Sequence, residues 1–508
     1  MSTLATTPAV FDLEQRIRRL YDHLYANSKK RTPGGISLEV GKVLHAGQFI
    51  EEVRQQSPAF DFSRSELKGL SRGTGELVGP VADALRRDFA AMNAQWRLYS
   101  VGTEIELSDA DIAVVTAQLA GVVISDRKRD VFGDAVEIFR SQWAKREGGM
   151  FFTDQRVTHL AMALLDFDPR NGDDLVDVSA GTGGFLSAGL NRIRHLLERD
   201  EPGPHVETRV VELALRSIKG HEIDPEVARV ANATLASRTG RTEHSFVHVG
   251  DSISPEAFGR GYPLGLREGA HKCAASNPPF GTKTTIKDDR ILRTYELARM
   301  TSRGSGDGLV NGCYTRPPDI LLLERNVRLL KPGEGRLAIV LPYQILSGPQ
   351  CLYVREWLLR HTEIQAVIDL PSETFQPHTG TKTSLVVLKR RESPLDEAAP
   401  DSRRRIFMAL PRWIGHDRRG NPVYERSPEG DATTTVLSDF ANVEAAFDAF
   451  RSGDDPSMTY AQTFAMPEDW VFADPLRRIN ALFHQPSRNG TIVSPKSRRW
   501  KTVRVRDV

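Results

Sequence analysis

The sequence has few cysteines, no long apolar run and almost no net charge. Its three cysteines, Cys273, Cys313 and Cys351, lie far apart and form no CxxC pair, so neither a disulfide framework nor a cysteine zinc site is expected. No run of 18 apolar residues occurs, and residues 1–12 carry no basic-then-apolar signal. We therefore expect a protein of the reducing cytoplasm that is not inserted in a membrane.

Three common nucleotide and metal motifs are also missing. Residues 281–284 contain glycine and lysine, but they lack the order and the upstream glycine of the phosphate loop GxxxxGK[ST]. There is no complete GxGxxG and no HExxH, and the histidines are scattered. These absences argue against an ATPase or translocase, and they make a nucleotide-dependent oxidoreductase a remote alternative. Single histidines such as His159 and His221 are expected to be structural residues and not metal ligands.

One short stretch, Asn277-Pro278-Pro279-Phe280, combines an amide, two prolines and an aromatic ring. The Asn277 side-chain oxygen and the Pro278 carbonyl can accept hydrogen bonds from an amino group conjugated to a ring, which makes that nitrogen a better nucleophile. Proline fixes φ and so holds the acceptors in place, and Phe280 can stack on the ring. The stretch predicts amino methylation; a proline-rich turn is the alternative.

The residues around this tetrapeptide and a second motif predict an α/β fold. Residues 272–276 read as a buried strand, which puts the tetrapeptide at a strand's carboxyl end, where open α/β sheets bind ligands. Residues 175–178 read as another strand, followed by a turn with Gly181 and Gly183 and by a helix-like segment at 186–190. Glycines in such a turn let the backbone approach a ligand closely.

Two further strands are predicted to end in acidic residues. Residues 218–224 predict a strand with Glu222 at its end, where a carboxylate can accept hydrogen bonds from both hydroxyls of a ribose. Asp224 is expected to cap the next helix. Residues 246–251 predict a third strand, and Asp251 at its end is a candidate acceptor for the amino group of an adenine.

These motifs, in this order, resemble the N6-adenine DNA methyltransferases, and most closely the modification subunits of type I restriction-modification systems. The resemblance runs from about residue 127 to about residue 389. Besides the motifs above, it includes an upstream stretch at residues 149–154. Downstream, residues 330–333, 336–342 and 368–371, followed by Phe375, recur in the same order as in that family.

The resemblance implies a Rossmann-like, S-adenosylmethionine-dependent methyltransferase sheet with a helical N-terminal domain. It assigns catalysis to Asn277, Pro278, Pro279 and Phe280. No metal is expected, because methyl transfer from a sulfonium needs none. The residues that it assigns to cofactor binding are Gly149, Met150, Phe151, Phe152, Thr153, Asp154, Asp177, Ala180, Gly181, Thr182, Gly183, Glu222, Ile223, Asp251 and Ser252.

Two residues depart from the family pattern. Asp154 and Val178 stand where the family usually has proline. Proline restricts the backbone, so its loss at these positions is expected to weaken the affinity for S-adenosylmethionine without abolishing it.

The length of 508 residues and the 40% hydrophobic content predict two to four globular domains. Residues 1–145 are interpreted as a helical domain, 146–391 as the catalytic domain, and 392–508 as a C-terminal extension and candidate docking region for a partner. In the extension, residues 405–410 predict a strand and residues 436–450 a helix packed on the catalytic domain. The apolar residues that recur at helical spacing are Ile17, Leu20, Tyr21, Leu24, Leu77, Val81, Leu85, Phe89, Ile320, Leu323, Val327 and Leu330.

The charge distribution indicates that the chain gains part of its DNA affinity from a partner. A net charge of +2 is small, although residues 403–405, 418–419 and 496–501 are basic clusters that can face phosphates. Solvated loops are the alternative. The polar segment 281–318 is interpreted as a DNA-contacting loop, with an unstructured insert as its alternative. Residues 499–508 are similar to the opening of a type I specificity subunit.

We therefore expect methylation of adenine N6 in double-stranded DNA, with the target base flipped out of the duplex. The chain has no clear pair of target-recognition domains, so a specificity subunit is the expected partner, and a restriction subunit is a further candidate. A non-catalytic DNA-binding subunit of a defence complex, and an RNA or protein amine methyltransferase, are the alternatives.

Overall fold

The chain divides into two units, and each is built from more than one stretch of sequence. The first comprises Met1–Thr158, Asp168–Asp251 and Tyr424–Val436, and the second comprises His159–Phe167, Ser252–Val423 and Leu437–Val508. The computed structural model describes residues 10–28, 33–96, 99, 101–125, 131, 135, 138–139, 153–203, 205–241, 243–258, 266–280, 285–300, 312–376 and 379–485.

The N-terminal part of the first unit is helical. All of its described helices except the third share one apolar core, to which Ile17, Leu20, Tyr21 and Leu24 contribute as predicted. The predicted row of apolar residues at helical spacing that begins with Leu77 is wrong for Leu77 itself, because this residue precedes the helix and is exposed. The helices are α1 (Val10–Asn27), α2 (Pro33–Glu52), α3 (Arg64–Leu70), α4 (Val78–Trp96) and α5 (Asp109–Leu119).

The rest of the first unit up to Asp251 alternates between strands and helices. The three strands are parallel, in the order β1, β2, β3, as expected for strands joined by helices. The elements are α6 (Gln155–Leu164), in which the chain passes into the second unit, and then β1 (Leu175–Asp177), α7 (Gly184–Asp200), α8 (Val206–Ser217), β2 (Ile218–Glu222), α9 (Pro225–Thr239) and β3 (Val247–Val249).

From Ser252 onward the chain forms the remaining elements, and the hairpin of β9 and β10 belongs to the first unit. The elements are β4 (Cys273–Ser276), α10 (Asp289–Leu292), α11 (Glu296–Arg299), α12 (Pro318–Leu329), β5 (Arg336–Pro342), α13 (Tyr343–Ser347), α14 (Leu352–His361), β6 (Thr362–Asp369), β7 (Thr383–Arg390), β8 (Arg405–Ala409), β9 (Tyr424–Arg426), β10 (Ala432–Val436), α15 (Phe440–Arg451), α16 (Pro456–Thr459), β11 (Thr463–Pro467), α17 (Asp469–Ala473) and α18 (Ala481–His484).

The strands of the second unit form a mixed arrangement in the order β11, β8, β6, β7, β5, β4. The pairs β4–β5 and β6–β8 are parallel, whereas β7 runs antiparallel to both β5 and β6. Strands β4, β5 and β6 therefore point the same way, and their carboxyl ends meet at one edge together with the start of β7. None of the described helices is long and apolar enough to span a membrane.

The predicted strand at 405–410 is confirmed as β8, and the predicted helix at 436–450 begins later than expected. Val436 closes β10, which pairs with β9, and the helix α15 begins only at Phe440. Its Phe447 ring packs against Phe407 of β8, with 5.2 Å between the ring centres. Because β8 itself belongs to the predicted extension, packing of this helix on the catalytic domain stays a prediction.

Candidate functional site

The glycine turn after β1 is held in place by hydrogen bonds to its backbone. Asp177, which is only 1% exposed, accepts a hydrogen bond from the Ser179 amide at 3.0 Å. The Ala180 amide donates to the carbonyl of His221 in β2 at 2.8 Å, and the Gly183 amide donates to the Ala180 carbonyl at 2.8 Å. The Asp177 side chain therefore orients the backbone of the turn, to which a ligand could bind.

Two positions of this turn require glycine. Gly181 and Gly183 have φ angles of +54° and +85°, which side-chain-bearing residues rarely adopt. A Cβ atom on Gly183 would lie 3.3 Å from the Cβ of Ala231 in α9, whereas nothing lies within 4 Å of such an atom on Gly181. The turn is thus packed at Gly183 and open at Gly181, where a ligand can approach the backbone.

Glu222, at the end of β2, is oriented by two backbone amides. Its Oε2 accepts from the Gly181 amide at 2.8 Å, and its Oε1 accepts from the Asp224 amide at 3.0 Å. Each carboxylate oxygen has two lone pairs, so each keeps one acceptor position. Asp224 caps α9 as predicted, since it accepts from the Val227 amide at 3.3 Å.

The other predicted cofactor residues near these strand ends differ in exposure. Ile223 is 66% exposed, which is unusual for an isoleucine and leaves an apolar surface beside Glu222. Asp251 is half-buried. Ser252 is 5% exposed, and the described residues provide no hydrogen-bond partner for its Oγ atom.

Two histidines near these strands are held neutral. Burial, together with the nearby His248, lowers the pKa of His221 in β2 to about 4. Burial also lowers the pKa of His248. Neutral, enclosed imidazoles favour the structural role that the sequence suggested for His221.

The upstream predicted stretch is described only in part. Gly149, Met150, Phe151 and Phe152 lie outside the described residues. Thr153 is buried. Asp154 precedes α6, where its carbonyl accepts from the Thr158 amide at 3.2 Å and its side chain accepts from the Arg156 amide at 2.8 Å. Asp154 therefore acts as a helix cap, which gives this departure from the family pattern a local structural reason.

The tetrapeptide lies directly after β4, as predicted. Asn277 and Phe280 are half-buried, Pro278 is buried and Pro279 is exposed. The Phe280 ring meets the Phe375 ring edge-to-face, with 6.0 Å between the centres and an angle of 88°. Two motifs almost a hundred residues apart in the sequence are thus brought into contact.

The described part of the predicted DNA-contacting segment is folded within the second unit. Glu324 of α12 accepts hydrogen bonds from the amides of Glu296 and Leu297 at 3.0 and 2.8 Å. The Tyr295 hydroxyl donates to the Ile253 carbonyl at 2.7 Å. Residues 285–300 are therefore not an unstructured insert; residues 281–284 and 301–311 lie outside the described residues, as does the tail at 486–508.

Sequence reasoning missed Gly220, in the middle of β2. A Cβ atom there would lie 2.7 Å from Leu186 Cδ1 and 3.1 Å from the Ala180 Cβ. The absence of a side chain lets the glycine turn and α7 approach the strand. A glycine inside a predicted strand is the sequence signal for such a close approach.

Parallel strands with a glycine turn and an acidic strand end, and an Asn-Pro-Pro-Phe stretch after β4, match the α/β methyltransferase class that the sequence motifs indicate. The chain belongs to the N-6 DNA Methylase family, whose model matches residues 127–408, more than half of its length.

Curated relatives and solved structures agree with this family. The chain is 23% identical over 265 residues to the type I restriction enzyme EcoEI methylase subunit of Escherichia coli, which covers 52% of this chain and 47% of that protein. It is 22% identical over 277 residues to the MpnII methylase subunit of Mycoplasma pneumoniae, covering 53% and 45%. The chain thus spans about half the length of these relatives.

Two solved structures share the fold over most of the chain. The methyltransferase subunit of a type I restriction-modification system from Streptococcus thermophilus has a TM-score of 0.54 at 17% identity, covering 94% of this chain and 99% of that one. A modification subunit of a type I restriction enzyme from Vibrio vulnificus YJ016, whose assignment is provisional, has a TM-score of 0.51 at 16% identity, covering 92% and 94%. At these identities, the likeness is one of fold.

Proposed function

We propose that this protein transfers a methyl group from S-adenosylmethionine to adenine N6 in double-stranded DNA, as the modification subunit of a type I restriction-modification or related defence system. The observation that carries this proposal is the intact Asn277-to-Phe280 tetrapeptide directly after β4, with Phe280 in contact with Phe375. The curated relatives, which are type I methylase subunits, support it.

The tetrapeptide supplies the groups that this reaction needs on the base. The adenine N6 lone pair is delocalised into the ring, and acceptors at the Asn277 side chain and the Pro278 carbonyl would pull the amino group toward a geometry that can attack a methyl group. The half-buried Phe280 ring offers a stacking surface for a base that has left the duplex. The nitrogen gains the methyl group, the sulfonium leaves as a thioether, and the amine loses one proton.

The residues of the first unit fit S-adenosylmethionine as cofactor. The open side of Gly181 admits a ligand against the backbone. The two remaining acceptor positions of Glu222 suit the two hydroxyls of a ribose, and the exposed Ile223 side chain beside them offers an apolar surface for an adenine ring. When bound, the cofactor would supply the electrophilic methyl group.

The proposal includes a separate specificity partner and cytoplasmic action on DNA. The small net charge of +2 gives this chain little general attraction to the phosphate backbone. A partner that binds DNA would bring the target adenine to the tetrapeptide and would choose the sequence. A restriction subunit is a further candidate member of the complex.

Tritiated methyl transfer to genomic DNA, followed by nucleoside analysis, tests this function. The chain is assayed alone and with a candidate specificity subunit, and RNA and bulk protein serve as parallel substrates. N6-methyladenine that forms only with the partner is the expected result, and N6-methyladenine from the chain alone would assign recognition to this chain. Label in RNA or protein, or no product at all, would overturn the proposal; in the last case, calorimetry with S-adenosylmethionine would distinguish a non-catalytic subunit from an enzyme with another substrate.

A further inference from the structure

Asp369 is a buried carboxylate that accepts three hydrogen bonds. It closes β6 and is 3% exposed. Its Oδ1 accepts from the Ser384 hydroxyl at 2.6 Å, while its Oδ2 accepts from the Leu482 amide at 2.8 Å and from the Tyr343 hydroxyl. Burial and the Asp369 carboxylate both raise the pKa of Tyr343, so this phenol keeps the proton that it donates.

These three donors come from different parts of the second unit. Tyr343 directly follows β5, Ser384 lies near the start of β7, and Leu482 belongs to the short helix α18. The first two lie at the same edge as the end of β4, because β4, β5 and β6 are parallel in direction and β7 is antiparallel. Asp369 therefore fastens α18 to the edge at which the catalytic tetrapeptide begins.

The C-terminal segment that reaches Asp369 has further anchors. The buried Arg355 donates to the Leu476 carbonyl at 2.8 Å and to the Ile345 carbonyl at 2.6 Å. The Ile479 amide donates to the Leu346 carbonyl at 3.1 Å. These bonds hold residues 476–482 against α13 and α14, so the Leu482 amide reaches Asp369 from a firmly attached segment.

A short loop connects Asp369 to the proposed base-binding residues. The Leu370 amide donates to the Thr383 carbonyl at 3.0 Å, and the Thr374 amide and hydroxyl both bond to the Pro371 carbonyl, at 3.1 and 2.7 Å. Phe375, which is 3% exposed, ends this loop and contacts Phe280. The position of the Phe280 ring thus depends on a loop whose first residue follows Asp369.

We propose that Asp369 is a positioning residue for methyl transfer: by binding Tyr343, Ser384 and the Leu482 amide, it fixes the loop 370–375 and hence the Phe280 ring, and it makes base capture depend on the C-terminal segment 476–484. This inference rests on the proposed function for its effect on catalysis. The coupling between α18 and the loop, however, is a property of the fold and can be measured without activity.

Two substitutions at Asp369 distinguish hydrogen bonding from charge. In Asp369→Asn, the amide oxygen can keep the bonds from Tyr343 and Leu482, and the amide NH₂ can donate to Ser384, whose hydroxyl also accepts. Asp369→Ala removes all three bonds. We expect kcat to stay within about threefold of wild type for Asn and to fall more than about tenfold for Ala, while the Kd for S-adenosylmethionine stays within about twofold for both.

A second pair of variants tests the link from α18 without changing Asp369. Leu482→Pro removes the amide hydrogen in the first turn of α18, where proline is tolerated, and Leu482→Ala removes only an exposed side chain. Hydrogen–deuterium exchange of the full-length protein is measured at the Leu370 and Thr374 amides. We expect exchange there to be several-fold faster in Leu482→Pro than in Leu482→Ala, which should match wild type.

The outcomes separate this inference from the proposed function. If the wild-type protein transfers no methyl group, the proposed function fails, and the exchange data alone decide the coupling. Equal exchange rates in the two Leu482 variants would overturn the proposed coupling between α18 and the loop 370–375. Given an active wild type, the positioning role would also fail if Asp369→Asn and Asp369→Ala lost the same activity, or if Asp369→Ala lowered only the melting temperature; selective loss of kcat in Ala, with rescue by Asn, supports it.

Discussion

At the scale of single residues, Glu222 shows how one carboxylate can serve both the fold and a ligand. Its two oxygens bind the amides of Gly181 and Asp224, which leaves one acceptor position on each oxygen. The glycine turn and the cap of α9 are therefore joined at the residue proposed to bind the ribose. A change at Glu222 should alter cofactor affinity by two routes, directly and through the turn.

Glu222→Gln keeps the shape of the side chain but turns one acceptor into a donor. One of the two backbone amides would then face an NH₂ group, which costs about 1–3 kcal/mol. We expect S-adenosylmethionine to bind about 10- to 100-fold more weakly by calorimetry. The exposed Glu212→Gln in α8 serves as a control and should bind normally; unchanged affinity in Glu222→Gln would contradict the ribose assignment.

Asn277 is proposed to act on the base and not on the cofactor. Asn277→Ala removes one of the two acceptors for the adenine amino group, so methyl transfer should fall by at least about 100-fold, the scale seen when one aligned polar group is lost from an active site. Binding of S-adenosylmethionine should remain within about twofold of wild type. The exposed Asn171→Ala is the matched control, and retained transfer in Asn277→Ala would refute the mechanism.

Gly220 is a residue where a single added methyl group should disturb the packing. Gly220→Ala places a Cβ 2.7 Å from Leu186 Cδ1, and overpacking of this kind costs about 1–3 kcal/mol of unfolding free energy. Gly79→Ala in α4 meets no atom within 4 Å and should change the unfolding free energy by no more than about 0.5 kcal/mol. Urea unfolding of both variants checks the prediction, which equal stabilities would contradict.

The proposed site residues could be chosen from the sequence because the proposed reaction dictates their types. Asn277, Phe280 and Glu222 carry acceptors or a ring that a base and a ribose require, and all three follow predicted strands. The contact of Phe280 with Phe375 and the hydrogen bonds to Asp369 were not predictable, because they join residues far apart in sequence. Only the folded chain brings such groups together.

At the scale of elements, α9 connects the proposed cofactor-binding residues to the N-terminal helices. It begins directly after Asp224, contacts Gly183 through Ala231, and packs along α2. His45 of α2 lies in this interface, with its Nδ1 2.7 Å from the Tyr99 hydroxyl and a hydrogen bond to the backbone of Arg238 in α9. Burial, with a smaller contribution from the Arg194 charge, lowers the pKa of His45 to about 4, while Glu207 and the hydrogen bond to the Arg238 backbone oppose this shift.

This buried histidine predicts a loss of stability in acid. Below its ordinary value of 6.5 the unfolded chain binds a proton at His45, whereas the folded protein does so only near pH 4. Unfolding free energy should therefore fall as pH drops from about 6.5 to about 4, by on the order of 3 kcal/mol for this residue. His45→Gln should flatten the urea-unfolding profile in this window, and the exposed His205→Gln should not.

Strands were easier to predict than helix limits. The runs before Asp177, Glu222 and Asn277 each form a strand, although the first two strands end one and two residues earlier than predicted. The start of α15 was predicted too early because Val436 belongs to β10 and pairs with β9 in a hairpin. That pairing depends on partner residues and not on the local apolar pattern.

At the scale of the whole molecule, the nearly equal numbers of basic and acidic residues predict weak DNA binding by the chain alone. There are 68 lysines and arginines against 66 aspartates and glutamates. We expect the isolated protein to bind DNA with the weak affinity of non-specific complexes, with Kd of about 10⁻⁴–10⁻⁶ M at physiological salt, and without sequence preference. Fluorescence anisotropy with several duplexes tests this; tight, sequence-dependent binding by the chain alone would assign recognition to it.

The fold class was predictable from the order of the motifs, and the grouping of the chain by contacts was not. The division into residues 1–145, 146–391 and 392–508 remains a prediction about stretches of sequence. The two units, in contrast, are defined by contacts, and segments as short as His159–Phe167 and Tyr424–Val436 are placed apart from their neighbours in the chain. The unit to which each of these short segments belongs depends on long-range contacts, which the local sequence pattern does not encode.

The interleaving of the two units bears on how the protein can be dissected. A fragment that stops after residue 251 would contain most of the first unit but would lack its hairpin at Tyr424–Val436, and a fragment that begins at 252 would lack His159–Phe167. A single cut therefore cannot separate the two units, because each fragment lacks a segment of its own unit. We therefore expect a protease nick between residues 251 and 252 to leave both fragments associated, and separately produced halves to regain the fold only when they are refolded together.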